Sequence, residues 1–98
     1  MQFVLMAWDG EDEHALERRM AVREMHMVRA RQAAQDGLML EAGAILNDAG
    51  QMIGSVMMLE FPNGVEARAW LEADSYVTTG VWQRWVLHPF RVAALRST

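Results

Sequence analysis

The segment Glu13 to Asp36 constrains the fold most. On a helical wheel it sets Leu16, Met20, Arg23, Met27, Ala30 and Ala34 along one stripe, in alternating steps of four and three. That spacing predicts an amphipathic helix. Arg23 stands inside the stripe one turn before His26, with Arg19 a further turn back. A guanidinium in the seam of a buried face is unfavourable unless an anion meets it. Arg19, Arg23 and His26 are therefore expected to form a cationic row at the edge of a core.

The rest of the chain arranges itself around that helix. Residues 2–8, Gln-Phe-Val-Leu-Met-Ala-Trp, are short and almost continuously apolar, which predicts a central strand buried on both faces. Asp9-Gly10-Glu11-Asp12 is an acidic turn, with Asp12 placed to cap the helix. Gly37 punctuates the helix end. Leu38 to Leu46 reads as a second strand, broken or bent near Gly43, and Met52 to Phe61 as a third, joined by the turn Asn47-Asp48-Ala49-Gly50 into a hairpin. Asn63 with Glu66 resembles a capping box opening a short helix through Ala73, expected to bury Val65, Ala69 and Trp70. Asp74 to Val77 leads into a helical turn ending at Gly80, and Gln83 to Val92 is the last strand.

The order β-α-β-β-α-β predicts an α+β, ferredoxin-like domain spanning residues 1–98, with a four-stranded antiparallel sheet and both helices on one face. Two helices cover only one side, yet Ile53, Met57, Leu59 and Phe61 alternate with Met52, Val56 and Met58, apolar on both. Leaving such side chains wet forfeits about 1.5–3 kcal/mol each. A homodimer packed through the open sheet face, a dimeric α/β barrel, is the economical solution.

Composition narrows the function classes. A net charge of −4 argues against nonspecific nucleic-acid binding. The absence of cysteine excludes disulfides and thiolate chemistry. No apolar run is long enough to span a membrane, and no basic leader with a small-residue cleavage site precedes Phe3, so a cytoplasmic location is expected. His14, His26 and His88 share no ligand spacing, so neither metal nor cofactor is expected. Nine methionines and four tryptophans read most simply as core and interface filler, although Trp82, Trp85 and Tyr76 are placed to wall an apolar pocket.

Read in order, Arg19-x-x-x-Arg23-x-x-His26, Gly43, Gly54-Ser55, Ala69-Trp70, Ala73-Asp74-x-Tyr76-Val77, Gly80-Val81, Val86 and Pro89-Phe90 run over nearly the whole chain. With that spacing the sequence resembles the YciI-like (YCII-related) family of small bacterial proteins. The resemblance implies a ferredoxin-like fold, usually dimeric, with a pocket centred on a histidine and an aspartate. Carried over by position, the pocket holds His26 and Asp74 and is lined by Arg23 and Ser55. The chain departs from the family at Gly43-Ala44, where Gly-Pro is common, and at Asp74-Ser75-Tyr76, where Asp-Pro-Tyr is common. Loss of the second proline is expected to loosen the turn that aims Asp74.

A histidine beside a carboxylate can move a proton, because the acid fixes one ring tautomer and stabilises the imidazolium. A cation about 6 Å away at an effective dielectric near 20 opposes this by roughly 3 kcal/mol, comparable with one carboxylate at about 4 Å. Partial cancellation by Arg23 would leave the imidazole neutral near pH 7, as a general base requires. The residues thus support an acid–base role on a small anionic, ring-shaped molecule, and the resemblance implies an enzyme of lyase or isomerase type. His26 is its general acid/base, Asp74 the orienting partner, Arg23 and Arg19 the anion clamp, and Ser55 and Tyr76 its binding contacts. Plainer readings stand beside it. Asp74 has the residue type of a helix cap, the arginines could pair with acids across a dimer, and Ser55 beside Gly54 could mark close backbone approach. The alternative function is a noncatalytic ligand-binding or dimerisation module. A purely structural dimer would have no pocket between the first helix, the third strand and the 74–80 turn.

Overall fold

The computed structural model describes residues 1–96. Strand β1 (Gln2–Asp9) turns Phe3, Leu5, Ala7 and Asp9 to the buried side and leaves Val4, Met6 and Trp8 half-covered on the other. It is central, as its apolar run predicts, but only one of its faces is fully buried. Helix α1 (Ala15–Gln35) follows, then β2 (Met39–Leu46), β3 (Met52–Glu60), helix α2 (Gly64–Glu72), the single turn α3 (Ser75–Thr78) and β4 (Trp82–Pro89). The strands form one sheet in the order β2-β3-β1-β4, and every neighbouring pair is antiparallel. This is the ferredoxin-like α+β arrangement.

The core lies between the helices and one face of the sheet. Register pairs Phe3 with Leu59 and Leu5 with Met57, and both pairs sit beneath Ala30, Ala33, Ala67 and Leu71. The small alanines let α1 and α2 approach the sheet closely, and larger side chains on the strands fill the space. Ile53 shares their parity but is 39% exposed.

Helix α1 presents a different face from the one its apolar stripe marks. Its buried residues are Arg19, His26, Ala30 and Ala33, while Met20 is 51% exposed and Ala34 is exposed. Two of the four inward positions carry polar side chains whose partners lie inside the protein, so hydrophobic periodicity does not mark the inner face. The helix ends in a Schellman motif. Gly37 takes φ of 76°, Leu38 N–H reaches Ala33 C=O at 2.8 Å, and Gly37 N–H reaches Ala34 C=O at 3.2 Å. At the other end His14 is the N-cap residue and makes no side-chain cap bond; Asp12 accepts from His14 N–H and pairs with Arg18 instead of capping the helix.

Asn63 caps α2 by accepting from Glu66 N–H at 2.9 Å. The side it buries carries Ala67 and Leu71 rather than Val65 and Ala69; Val65 is 80% exposed, and Trp70 is half-buried. About half a turn of rotation about the helix axis separates the two readings, and the short helix has too few apolar residues to fix it. Strand β4 stops at Pro89, which cannot donate to the ladder; beyond it Phe90 N–H bonds Gln2 C=O and Val92 N–H bonds the Gln2 side chain. No helix among the described residues is long and apolar enough to cross a membrane.

Candidate functional site

His26 is brought to the core by α1, and Asp74 by the short connection between α2 and α3. They meet: His26 Nδ1 lies 2.8 Å from Asp74 Oδ2, with the imidazole 6% exposed and the aspartate 0% exposed. Asp74 also caps α3, accepting from Tyr76 N–H at 3.0 Å. The cap and the histidine contact are therefore one structure, not competing roles. The serine that replaces the family's proline does not free this turn. Ser75 Oγ–H donates to Val22 C=O of α1 at 3.3 Å, and Ser75 is buried.

Burial alone would push the Asp74 carboxyl up. The hydrogen bond and charge of His26, the Tyr76 N–H and the Arg29 guanidinium together outweigh it and hold Asp74 below the usual 3.8. An ionised carboxylate only accepts, so Nδ1 carries a proton, and in the neutral form of the ring Nε2 is the nitrogen with a lone pair.

Tyr76 stacks on the imidazole, with centroids 3.8 Å apart and planes 10° from parallel. Trp82 stands edge-on to both rings, at 6.1 Å from His26 and 5.6 Å from Tyr76. Burial raises the Tyr76 phenol above its ordinary 10.0, against the opposing charges of Arg19 and Arg23. The imidazole thus sits in an aromatic cage that fixes its plane.

Arg19 is 3% exposed and already neutralised. Its Nη1 donates to both oxygens of Asp9 at 3.0 and 3.1 Å, its Nη2 donates to Ser55 Oγ at 2.9 Å, and its guanidinium lies 4.8 Å from the Tyr76 ring centroid. Desolvation raises the Asp9 carboxyl above 3.8, with the Arg19 charge and hydrogen bonds working against it. Ser55 also accepts from Trp82 Nε1–H at 3.2 Å. Both hydroxyl lone pairs are engaged, so its hydrogen is what remains to offer a ligand.

A cavity of about 210 Å³ opens between α1, β2 and β3, in the place where a purely structural dimer would have none. His26, Tyr76, Ser55, Arg19 and Arg23 contribute to its wall, and Ala42 and Met57 are among its apolar lining. Asp74 does not line it; it stands behind the imidazole. Arg23 is half-buried on the cavity wall and makes no ion pair among the described residues. No group of three or more His, Cys, Asp or Glu side chains among the described residues is placed to hold a metal ion.

Two members of this site went unseen in the sequence: Arg29 binds Asp74 Oδ1 at 3.0 Å, and Asp9 neutralises Arg19. Trp82, expected as a pocket wall, also anchors Ser55. The two unseen residues had a signal. Arg29 follows His26 by three residues and so shares its helix face, and Asp9 continues the inward parity of Phe3, Leu5 and Ala7. The partner of Trp82 depends on the bulge after Trp8, where the β1–β4 register shifts, and nothing local announces that.

The family model for the YCII-related domain matches residues 1–91. Protein YciI of Escherichia coli O6:H1 is 35% identical over 97 residues, covering 93% of this chain and 97% of the relative. Protein YciI of Shigella flexneri matches to the same extent. Among solved structures, the fold is shared with 5-chloro-2-hydroxyhydroquinone dehydrochlorinase (TftG) from Burkholderia phenoliruptrix AC1100, in complex with 2,5-dihydroxybenzoquinone. That match has a TM-score of 0.81 and 17% identity and covers 95% of this chain and 96% of that one. This chain belongs to the YCII-related domain family.

Proposed function

We propose that this protein is a cofactor-independent acid–base enzyme that removes a proton from a small anionic ring compound, with elimination or isomerisation following. The observation that carries the reading is the buried 2.8 Å contact between His26 Nδ1 and Asp74, with the imidazole on the cavity wall. His26 Nε2 takes the proton. The electron pair left behind expels a leaving group from the neighbouring atom as an anion, or shifts and takes a proton back from the imidazolium at a different atom. Asp74 remains ionised throughout and stabilises the imidazolium. Arg23, the cavity guanidinium with no acid partner among the described residues, docks the substrate's negative charge. Ser55 donates its hydroxyl hydrogen, and Tyr76 presents a flat apolar wall with a protonated phenol. Arg19, held by Asp9, braces Ser55 and Tyr76 rather than clamping the anion.

A cavity of about 210 Å³ suits a single substituted ring. The shared fold of TftG, whose name is that of an elimination and whose ligand is a small quinone, favours the same reaction class here. We further propose that two copies pair through the open sheet face, where Val4, Met6, Val56, Met58 and Val86 are half-covered.

The test is a panel of small phenolic and lactone acids offered to the wild type, His26→Ala and Asp74→Asn. Wild-type turnover should fall about 10²–10⁴-fold in kcat/KM on loss of His26. Binding to all three proteins with turnover by none would assign the chain to the ligand-binding module instead.

A further inference from the structure

Asp74 has two oxygens, and only one serves His26. Oδ2 takes His26 Nδ1 and Tyr76 N–H, while Oδ1 takes Arg29 Nη1 at 3.0 Å. Arg29 is itself pinned: Nη2 donates to Trp70 C=O at 3.0 Å, and the guanidinium lies 4.5 Å from the Trp70 ring centroid. Its side chain is 30% exposed and edges an outer groove with Met25, Val28 and Thr78, not the cavity that His26 lines. Arg29 therefore reaches the site through Asp74 alone, from the side away from the cavity.

We infer that Arg29 is a positioning residue of this site, holding the Asp74 carboxylate so that Oδ2 stays presented to His26 Nδ1 whether or not the imidazole carries its second proton. The inference rests on the acid–base reading of His26 and Asp74 and assigns a part that neither residue can supply. A carboxylate with no solvent exposure and one oxygen without a donor carries an uncompensated charge whenever His26 is neutral. It would then turn, or take a proton, and its hold on Nδ1–H would weaken. A permanent cation on Oδ1 removes that instability in the half of the cycle where the histidine is uncharged. The planar guanidinium does this while its second nitrogen grips the Trp70 carbonyl, a fork that an ammonium lacks. The same bonds tie α1 to the end of α2 and the start of α3, so the carboxylate is referenced to three elements at once.

The experiment uses the full chain as wild type, Arg29→Gln, Arg29→Lys and Asp74→Asn, with two readouts that need no substrate. One is the carboxyl ¹³C titration of Asp74; the other is the ¹H signal of the His26 Nδ1 proton at pH 7. Arg29→Gln should raise the Asp74 midpoint and broaden or abolish the Nδ1 proton signal. Arg29→Lys should rescue the Asp74 midpoint in greater part than the proton signal. Retention of both signals by a folded Arg29→Gln would overturn the inference. If Arg29→Gln fails to fold, Arg29→Lys decides: a folded variant with a wild-type Nδ1 signal overturns the positioning role, and a weakened signal supports it. Unfolding of both variants would mark Arg29 as a scaffold residue and also overturn it. Failure of the underlying reading looks different. There, Asp74→Asn would leave the Nδ1 signal of His26 unchanged, whatever Arg29 does.

Discussion

At the scale of single residues, two buried carboxylates respond to acid with opposite sign. Asp74 is held below the usual 3.8 in the folded protein, so it contributes stability that is fully present above that value. As pH falls through 3.8 the unfolded chain takes up its proton first, and the contribution is lost by the time the depressed folded value is passed. Asp9 is raised by burial, so between 3.8 and its folded value the native state holds more protons, and rising pH there lowers stability. Thermal melts from pH 2 to 6 should show this. Asp74→Asn should flatten the acid limb below about pH 4, and Asp9→Asn should remove the opposing slope above it. Asp9→Asn leaves the buried Arg19 short of its acid and should lower stability at pH 7 by about 3–5 kcal/mol; Asp74→Asn removes the acceptor of His26 and of the partly exposed Arg29 and should lower it as well. A steeper acid limb in Asp74→Asn would contradict the assignment. Asp12, held at about 2 chiefly by its hydrogen bond from Arg18, is a surface pair, and its titration should move back toward the usual range in high salt.

At the scale of elements, Gly54 keeps β3 against its neighbours. A Cβ there would run into the Ala7 carbonyl oxygen and lie 3.1 Å from Ile45 Cδ1. The obstacle on one side is backbone, which cannot give way, so Gly54→Ala should destabilise by roughly 1–3 kcal/mol and displace Ser55 from Arg19 and Trp82. Denaturant melts measure the first effect, and loss of ligand affinity without loss of fold the second. Asn63→Ala should cost about 1 kcal/mol through the lost cap on α2. Element identities were readable from the chain because caps, glycine stops and turn residues act locally. The rotation of α1 and α2 was not. The helical pattern places Arg19 and His26 only at the edge of a core; the partners that draw them inside, Asp9, Ser55 and Asp74, lie 10, 36 and 48 residues away.

At the scale of the whole molecule, the sheet has helices on one side only. On the other, Val4, Met6, Val56, Met58 and Val86 form a half-covered apolar surface. If a second copy covers it, sedimentation should report a dimer. Met58→Arg should then shift the population toward monomer while leaving the His26 cavity, on the opposite face, able to bind the ligands that the wild type binds. A wild-type monomer at micromolar concentration would remove the paired-sheet proposal and leave the acid–base proposal standing.

What the sequence determined by itself is the order of elements, the sheet they build and the family; its resemblance to that family pointed to His26 and Asp74, whose side chains lie 2.8 Å apart. Apolar period, turn chemistry and motif spacing are local properties, and they survive without coordinates. Tertiary structure decided the charge pairing. Arg19 is spent on Asp9, Arg29 on Asp74, and Arg23 is left on the cavity wall without an acid partner among the described residues. Three arginines on one helix are chemically alike along the chain. They become different only in the folded protein, where packing brings a carboxylate to Arg19 and to Arg29 and leaves Arg23 on the cavity wall.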